Sequence, residues 1–460
     1  MKLRNLFFAS VALAGLFSAC SNEMDEVVDN STKVENAGDA YMQIGFAFPS
    51  TSGTRATSTD PGVTTEQSFE NIALVIVNKD KTVAEYVALT KTDFSPEGNT
   101  GGSTSGKNKL YVSKSNIKVT KQTSEVDVYV FVNPTTAIEA LNAKNATLDT
   151  RMIHSESAVN IAIAQDGKFL MSNVDGKAES TKIEGSATAP TVVKVSVERV
   201  AAKLVEQTPE YAFNIDMDKA VTGYEGLTIT LSQYAYINLN KTSFVLKQYI
   251  TEAGVNYVED TNFKNYTPGS DLFFYFNGSK KESDYNFCNM KKDEATYCLE
   301  NTALAGDQYT DKTTGVIYKA VAQWNGKSAG ESFYSFINKI YFTFDDVNAA
   351  YKAIYNQEIA EANKENVEEL AKLGITYYKD GICYYRTMIK HEPNDAYLAP
   401  MEFAIVRNNV YQLKVNSIKG LGEPTIPTTP DPDEPDPTKA QLQLTVDVVP
   451  WTVRENNFDL

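Results

Sequence analysis

Histidine is close to missing from this chain: His154 and His391 are the only two among 460 residues. Their rarity removes the commonest general base and metal ligand together, and neither has cysteines or carboxylates clustered at ligand spacing around it. The patterns G-x-S-x-G, H-E-x-x-H and G-x-x-x-x-G-K-S/T are also absent, and with them the nucleophile, zinc and phosphate chemistry they support. The glycine-rich "GNTGGSTSG" (98–106) is flanked by loop formers and reads as a flexible tip. In "DPDEPDP" (431–437) the prolines hold the carboxylates extended, so they do not converge on one calcium ion. With 59 acidic residues some carboxylate pair always lies within glycosidase distance, and nothing selects one. These absences point away from an enzyme: no catalytic residue, no cofactor and no metal is expected. Basic residues are short as well, 43 against 59 acidic, a net charge of −16. That balance repels phosphate backbones and argues against nucleic acid as a partner.

Long apolar runs are equally scarce. The one candidate, "LFFASVALAGLF", follows Lys2 and Arg4 and is too short for a good transmembrane helix. It reads as the core of a signal peptide over 1–19. Ser18 and Ala19 stand directly before Cys20, the arrangement of a bacterial lipobox, with Phe17 a mild departure from its usual aliphatic residue. Cys20 is therefore the expected lipidation site. The acidic "SNEMDE" that follows resembles the surface-export signal of Bacteroidetes lipoproteins. Only Cys288, Cys298 and Cys383 then remain, in no zinc spacing. A Cys288–Cys298 bridge and three buried thiols both stay open.

What the chain does have is strand pattern. In "YMQIGFAF" (41–48) Met42, Ile44, Phe46 and Phe48 share one face. A loop of small polar residues follows, with Arg55 in its middle. "NIALVIVNKD" is a continuous apolar run, as for a strand buried on both faces. "EVDVYVFVNP" and "TVVKVSVERVAAKL" alternate, and "AIEALNAKNA" between them suits a helix. A second strand set starts after about residue 205. It is interrupted by one helix over "DDVNAAYKAIYNQEIAEANKENVEELAKLG", with Asp345 or Asp346 as N-cap and Gly374 as C-cap. "ITYYKDGICYYRTMI" reads as a hairpin turning at Asp380-Gly381. The expected fold is mainly β: two β-sandwich domains in series over 56–205 and 206–422, with one notable helix in the second. A Pro/Asp spacer (423–439) then leads to a detached strand within 440–460, with Leu442, Leu444, Val446 and Val448 on one face and Pro450 and Trp451 at its end. The lesser alternative, from the residues alone, is that this strand folds back onto its own C-terminal domain and the spacer is only a long loop.

The lipobox, the first strand with its arginine loop, "VSVERVAAKL", "AIVRNNVYQLKVNSIKGLG" (404–422) and the spacer before "VDVVPWTV" together resemble the fimbrillins of Bacteroidetes, the type V pilus subunits, with the minor-fimbrium subunits as the nearest group. The resemblance spans the whole chain. It implies two transthyretin-like β-sandwich domains, no enzymatic activity, and assembly on the outer membrane. An arginine- or trypsin-like protease would cut between Arg55 and Ala56, and the tether and first strand (20–55), with Met42, Ile44, Phe46 and Phe48, would leave. The donor strand of a neighbouring copy (440–453, with Leu442, Leu444, Val446, Val448, Pro450 and Trp451) would then fill the groove. The implied partners are copies of itself in a head-to-tail polymer, accessory tip and anchor subunits, the protease, and the outer membrane through the lipid before cleavage. The implied role is a stalk subunit supporting adhesion and biofilm formation. A monomeric surface lipoprotein that binds glycans is the alternative, with "YYKDGICYYR" as its aromatic cluster.

Overall fold

The computed structural model describes residues 38–47, 64–96, 110–215 apart from 158–160 and 166, 223–391 apart from 265–270, 276–277 and 279–280, then 398–427 and 442–450. Cys20, Phe48, Arg55, Ala56 and Trp451 lie outside these residues. The chain is mainly β, as expected.

The first half is built from β1 (Asp39–Ala47), β2 (Asn71–Val77), β3 (Val83–Thr90), β4 (Phe94–Pro96), β5 (Leu110–Ser113), β6 (Ile117–Thr120), β7 (Gln122–Val132), β8 (Met171–Asn173), β9 (Glu179–Ile183) and β10 (Thr191–Arg199). Among the described residues they form one hydrogen-bonded path, β3-β2-β7-β8-β10-β1-β5-β4, with β9 on β7 and β6 on β1. β10 joins its two arms: Thr191–Ser196 pair with β1, and Val197–Arg199 with β8. Buried side chains of both arms make a single core, Ile44 and Val119 from one, Leu74 and Val130 from the other. The apolar runs explain this. Six consecutive residues of β2 are buried, because β3 and β7 flank it and both its faces are covered.

The second half contains β11 (Ala202–Glu206), β12 (Leu227–Ile237), β13 (Ala295–Cys298), β14 (Gly315–Trp324), α1 (Phe344–Tyr355), α2 (Val367–Lys372), β15 (Ile382–Met388), β16 (Asn409–Ile418) and β17 (Leu442–Pro450). One sheet runs β13-β11-β16-β17; a second contains β12-β14-β15. Their facing side chains, Leu204, Tyr411 and Leu413 against Ile229, Tyr318 and Tyr385, share a core.

Four local expectations change. The run 191–204 is two strands: β10 ends at Arg199, and Ala202 opens β11 in another sheet. The single long helix is two, because Asn356 turns left-handed at φ 52° and ends α1, while Asn366 caps a new start. The N-cap of α1 is Thr343, whose hydroxyl accepts from the Asp346 N–H, rather than Asp345 or Asp346. Asp380 and Gly381 do form a turn with positive φ, yet it joins no hairpin. Ile375–Tyr378 pair with Phe333–Phe336, whereas β15 pairs with β14.

Candidate functional site

β1 is first in the chain but central in its sheet. It runs parallel to β10, Met42 opposite Thr191 through Ala47 opposite Ser196. On its other side it runs antiparallel to β6 through Asp39–Met42 and to β5 through Gly45–Ala47. Of the period-two pattern read from the sequence, Met42, Ile44 and Phe46 point inward, and Ala40, one step before it, does the same, each at 0–1% exposure. Phe46 meets Phe69 and Phe94 edge-on at 5.2 Å and stacks on Tyr111 at 5.3 Å. Tyr41 N–H donates to Gly185 O at 2.8 Å, Ile44 N–H to Ser113 Oγ at 3.2 Å, and Asp39 pairs with Lys118 at 2.7 Å. With β1 gone, two strand edges and four apolar seats would stand open in one groove.

β17 is bound differently. It lies antiparallel on the outer edge of β16, from Ile418 opposite Leu442 to Asn409 opposite Pro450, with Tyr411 opposite Val448. The strand expected to be detached is therefore docked on its own half. The edge of β16 would otherwise present a row of unpaired backbone groups, and that is reason enough for the contact. Among the described residues one side of β17 is paired. Leu442 is buried at the rim of the core, while Leu444 and Val446 are half-buried. The connection is far longer than this pairing needs. Ile418 and Leu442 are direct neighbours that a two-residue turn could link, yet residues 419–441 intervene, enough extended chain for roughly 70 Å. The start of the spacer is pinned: Glu423 exchanges backbone hydrogen bonds with Tyr384 at 2.8 and 2.9 Å, and Ile426 is buried.

The strings that carried the resemblance meet where the two halves join. Arg407 is fully buried and pairs with Glu300 at 2.5 Å; it also donates to Ser243 Oγ, Phe244 O and Val245 O. Burial alone would depress its guanidinium, and Glu300 reverses that, so its pKa is raised. Arg199 Nε donates to Glu66 O at 3.1 Å, and the Glu66 carboxylate takes Lys203 at 3.0 Å and Tyr297 OH at 2.5 Å. Asn408 closes the joint, its N–H on Ala201 O at 2.9 Å. Residues 64–69, just beyond the arginine loop, are thus anchored at this joint by Glu66 and at β1 by Phe69. Sequence reading passed over Glu66, Phe69, Phe94 and Tyr111. None sits in a periodic pattern that would mark it.

Each histidine has a polar neighbour. His154 Nε2 lies 2.8 Å from Glu156, and His391 Nδ1 lies 2.8 Å from Tyr411 OH. Burial, with Lys247 nearby, pushes the His391 imidazole down to about 4. Cys288, Cys298 and Cys383 are free; Cys288 is exposed and the other two are buried. Tyr377, Tyr378, Tyr384 and Tyr385, the aromatic cluster of the glycan-binding alternative, are all buried. Among the described residues no group of three or more His, Cys, Asp or Glu is placed to hold a metal, and no helix is long and apolar enough to cross a membrane.

The profile of the family "Major fimbrial subunit protein type IV, Fimbrillin, C-terminal" matches residues 376–457. The major fimbrium subunit FimA type-4 of Porphyromonas gingivalis is 26% identical over 214 residues, 44% of this chain and 53% of that protein. The chain thus spans about half the length of this curated relative. Among solved structures, a fimbrilin (FimA) of P. gingivalis aligns over 91% of this chain and 99% of its own, at 15% identity and a TM-score of 0.49. A C-terminally truncated tip fimbrial protein Mfa3 of P. gingivalis aligns over 90% and 100%, at 12% identity and a TM-score of 0.42.

Proposed function

We propose that this chain, which ends in a fimbrillin C-terminal domain, is a stalk subunit of a surface fimbrium that polymerises by strand exchange. One observation carries the reading. β1 is bonded on both edges inside the first half and fills four seats at 0–1% exposure, and the chain holds a second strand of the same apolar period, β17, on a tail longer than its docking needs. Export as a lipoprotein at Cys20 places the precursor on the outer membrane. An arginine- or trypsin-like protease cuts between Arg55 and Ala56, β1 departs, and the C-terminal strand of a neighbour enters the groove. Four buried side chains contribute on the order of 6–12 kcal/mol gross. Docked on its own β16, the strand has only Leu442 fully buried among its described side chains. The groove is the deeper site, and it opens only after the cut. Tip and anchor subunits would end the polymer.

The test uses protein spanning 21–460, with and without residues 440–460, treated with a limiting dose of an arginine-specific protease. The expected result is a new N-terminus at Ala56 and a ladder of heat-labile multimers on unboiled denaturing gels, absent from the truncated form. Monomers from both forms after a confirmed cut at Arg55 would refute the polymer.

A further inference from the structure

We infer that the apolar tip at the far end of the second half, made by Ile337, Ile354 and Tyr355, is a second contact between copies, seated on the free end of a neighbour's first half around Val192. This rests on the strand-exchange reading above and adds to it a surface outside the groove. Six large apolar side chains of the described residues stand about half exposed. Ile153 and Tyr249 lie beside the joint, Ile153 opposite Phe244 and Tyr249 donating to the Asp175 carboxylate. The other four stand at the two ends: Val192 at 47% in the first half, and Ile337, Ile354 and Tyr355 at 58%, 53% and 52% in the second.

The strands place these ends. β10 finishes at the joint with Arg199 and starts at Thr191, about 26 Å away, so Val192 belongs to the free end of the first half. β14 starts beside the joint: Thr314, just before it, takes Asn301 Nδ2 at 2.9 Å, and Asn301 pairs with Ile405, close to Arg407. Its far end, Trp324, lies about 30 Å on and packs on Phe333 and Phe342. From there Phe333–Phe336 and Lys339–Tyr341 run outward as a hairpin, Phe336 opposite Lys339. Ile337 and Asn338 turn it, both left-handed, at φ 44° and 55°. Such a turn favours asparagine or glycine, and a β-branched residue in it is strained. Strain of this kind clusters where a side chain serves a contact. Tyr355 lies over Phe336 with ring centroids 6.5 Å apart. Val347 and Tyr351 are the buried part of the α1 stripe, and Ile354 and Tyr355 continue it into solvent.

The tail indicates what covers this tip. Pro424 and Thr425 line one groove with Asn366, Val367 and Ala371, and Leu370 of α2 shares a core with Phe336 and Tyr351. Ile426 is buried, and Pro427 O accepts from Arg386. With that stretch held, residues 428–441 carry β17 at most roughly 50 Å from Pro427. The first half that receives the donor is thereby kept against this end of the molecule. A patch that matches a different surface of the same molecule joins copies head to tail in an open filament. Here an apolar tip faces an apolar end.

Ile337→Asn suits the left-handed turn better, so the urea midpoint of the uncut precursor should hold or rise. After the arginine-specific cut, the concentration at which half the protein is in multimers should rise about tenfold, and Ile354→Ser should do the same. In a Cys288→Ser background, Val192→Cys combined with Ile337→Cys should oxidise to multimers that survive boiling without reductant, whereas neither substitution alone should. A multimer threshold unchanged in either variant, a precursor midpoint that falls along with it, or no cross-link from the combined form overturns the inference and leaves strand exchange standing. No multimers from the unmodified chain would instead refute strand exchange, and this contact with it.

Discussion

Replacing Phe46 by alanine should weaken the precursor and leave the assembled polymer unchanged. The ring is fully buried, with three aromatic neighbours at 5.2–5.3 Å. Truncating such a phenylalanine costs about 3–5 kcal/mol, transfer and cavity together. The backbone ladders from β1 to β10, β5 and β6 are untouched by the change, so the loss falls on side-chain packing alone. At about 1.4 kcal/mol per tenfold, the fraction of precursor with β1 out of its groove should rise by roughly 100- to 3,000-fold. Urea unfolding of the uncut protein measures the first effect as a lowered midpoint. The melting temperature of detergent-resistant multimers measures the second, and it should match that of the unmodified protein, because Phe46 is no longer in them. Phe94→Ala is the control: Phe94 remains after the cut, so both measurements should fall. Multimers of the Phe46→Ala protein that weaken by the same margin as its precursor would show that β1 stays in the polymer, and the reasoning would fail.

Arginine-specific proteolysis of the folded precursor should cut after Arg55 before Arg151, Arg199, Arg386 or Arg407, read by intact mass. Arg199 and Arg407 are fully buried, Arg386 Nη1 donates to Pro427 O at 3.2 Å, and Arg151 holds Glu259 through two hydrogen bonds of 2.8 and 2.9 Å. Glu300→Gln should lower the unfolding free energy by roughly 3–5 kcal/mol, since it strands the buried Arg407 charge, and replacing both partners by apolar residues should cost less. Two groups should make acid stability depend on pH in opposite senses. His391, held down at about 4, binds its proton more readily in the unfolded chain, so it removes stability as pH falls from about 6.5 to 4. Burial raises Asp260 to about 7, so it adds stability as pH falls through the same window. Relative to the unmodified protein, urea midpoints of Asp260→Asn should drop toward acid and those of His391→Gln should rise; the reverse order would refute these assignments.

Much of the candidate site was legible as local pattern. Met42, Ile44 and Phe46 are inward as their spacing requires, and Leu442, Leu444 and Val446 share the apolar side of β17. The buried run of β2 fell where expected; β7, read as alternating, instead buries every residue from Val126 to Val132, since both its faces are covered. The misses have a common cause. Whether "VSVERVAAKL" was one strand or two, and whether the Asp380-Gly381 turn closed a hairpin, depended on which partner each strand found, and no local propensity encodes that. Asn356 ended the helix because its side chain tolerates the left-handed region, a preference too weak to read against so long an amphipathic run. Arg199 and Arg407 are among the most deeply buried side chains of the described chain, and no local pattern marks a buried arginine.

The sequence by itself determined the class of strand, the spacing of its apolar residues, the inward face of β1, and the acidic net charge. These follow from neighbours two to four positions apart, where backbone geometry leaves few choices. Only the tertiary structure decided that β1 is a central strand held on two edges, that β17 rests on one edge of its own half, and that Phe69, Phe94 and Tyr111 close around Phe46. Pairing joins residues as far apart in the chain as Lys203 and Val410, and its outcome is set by which edges and cavities the whole fold leaves open.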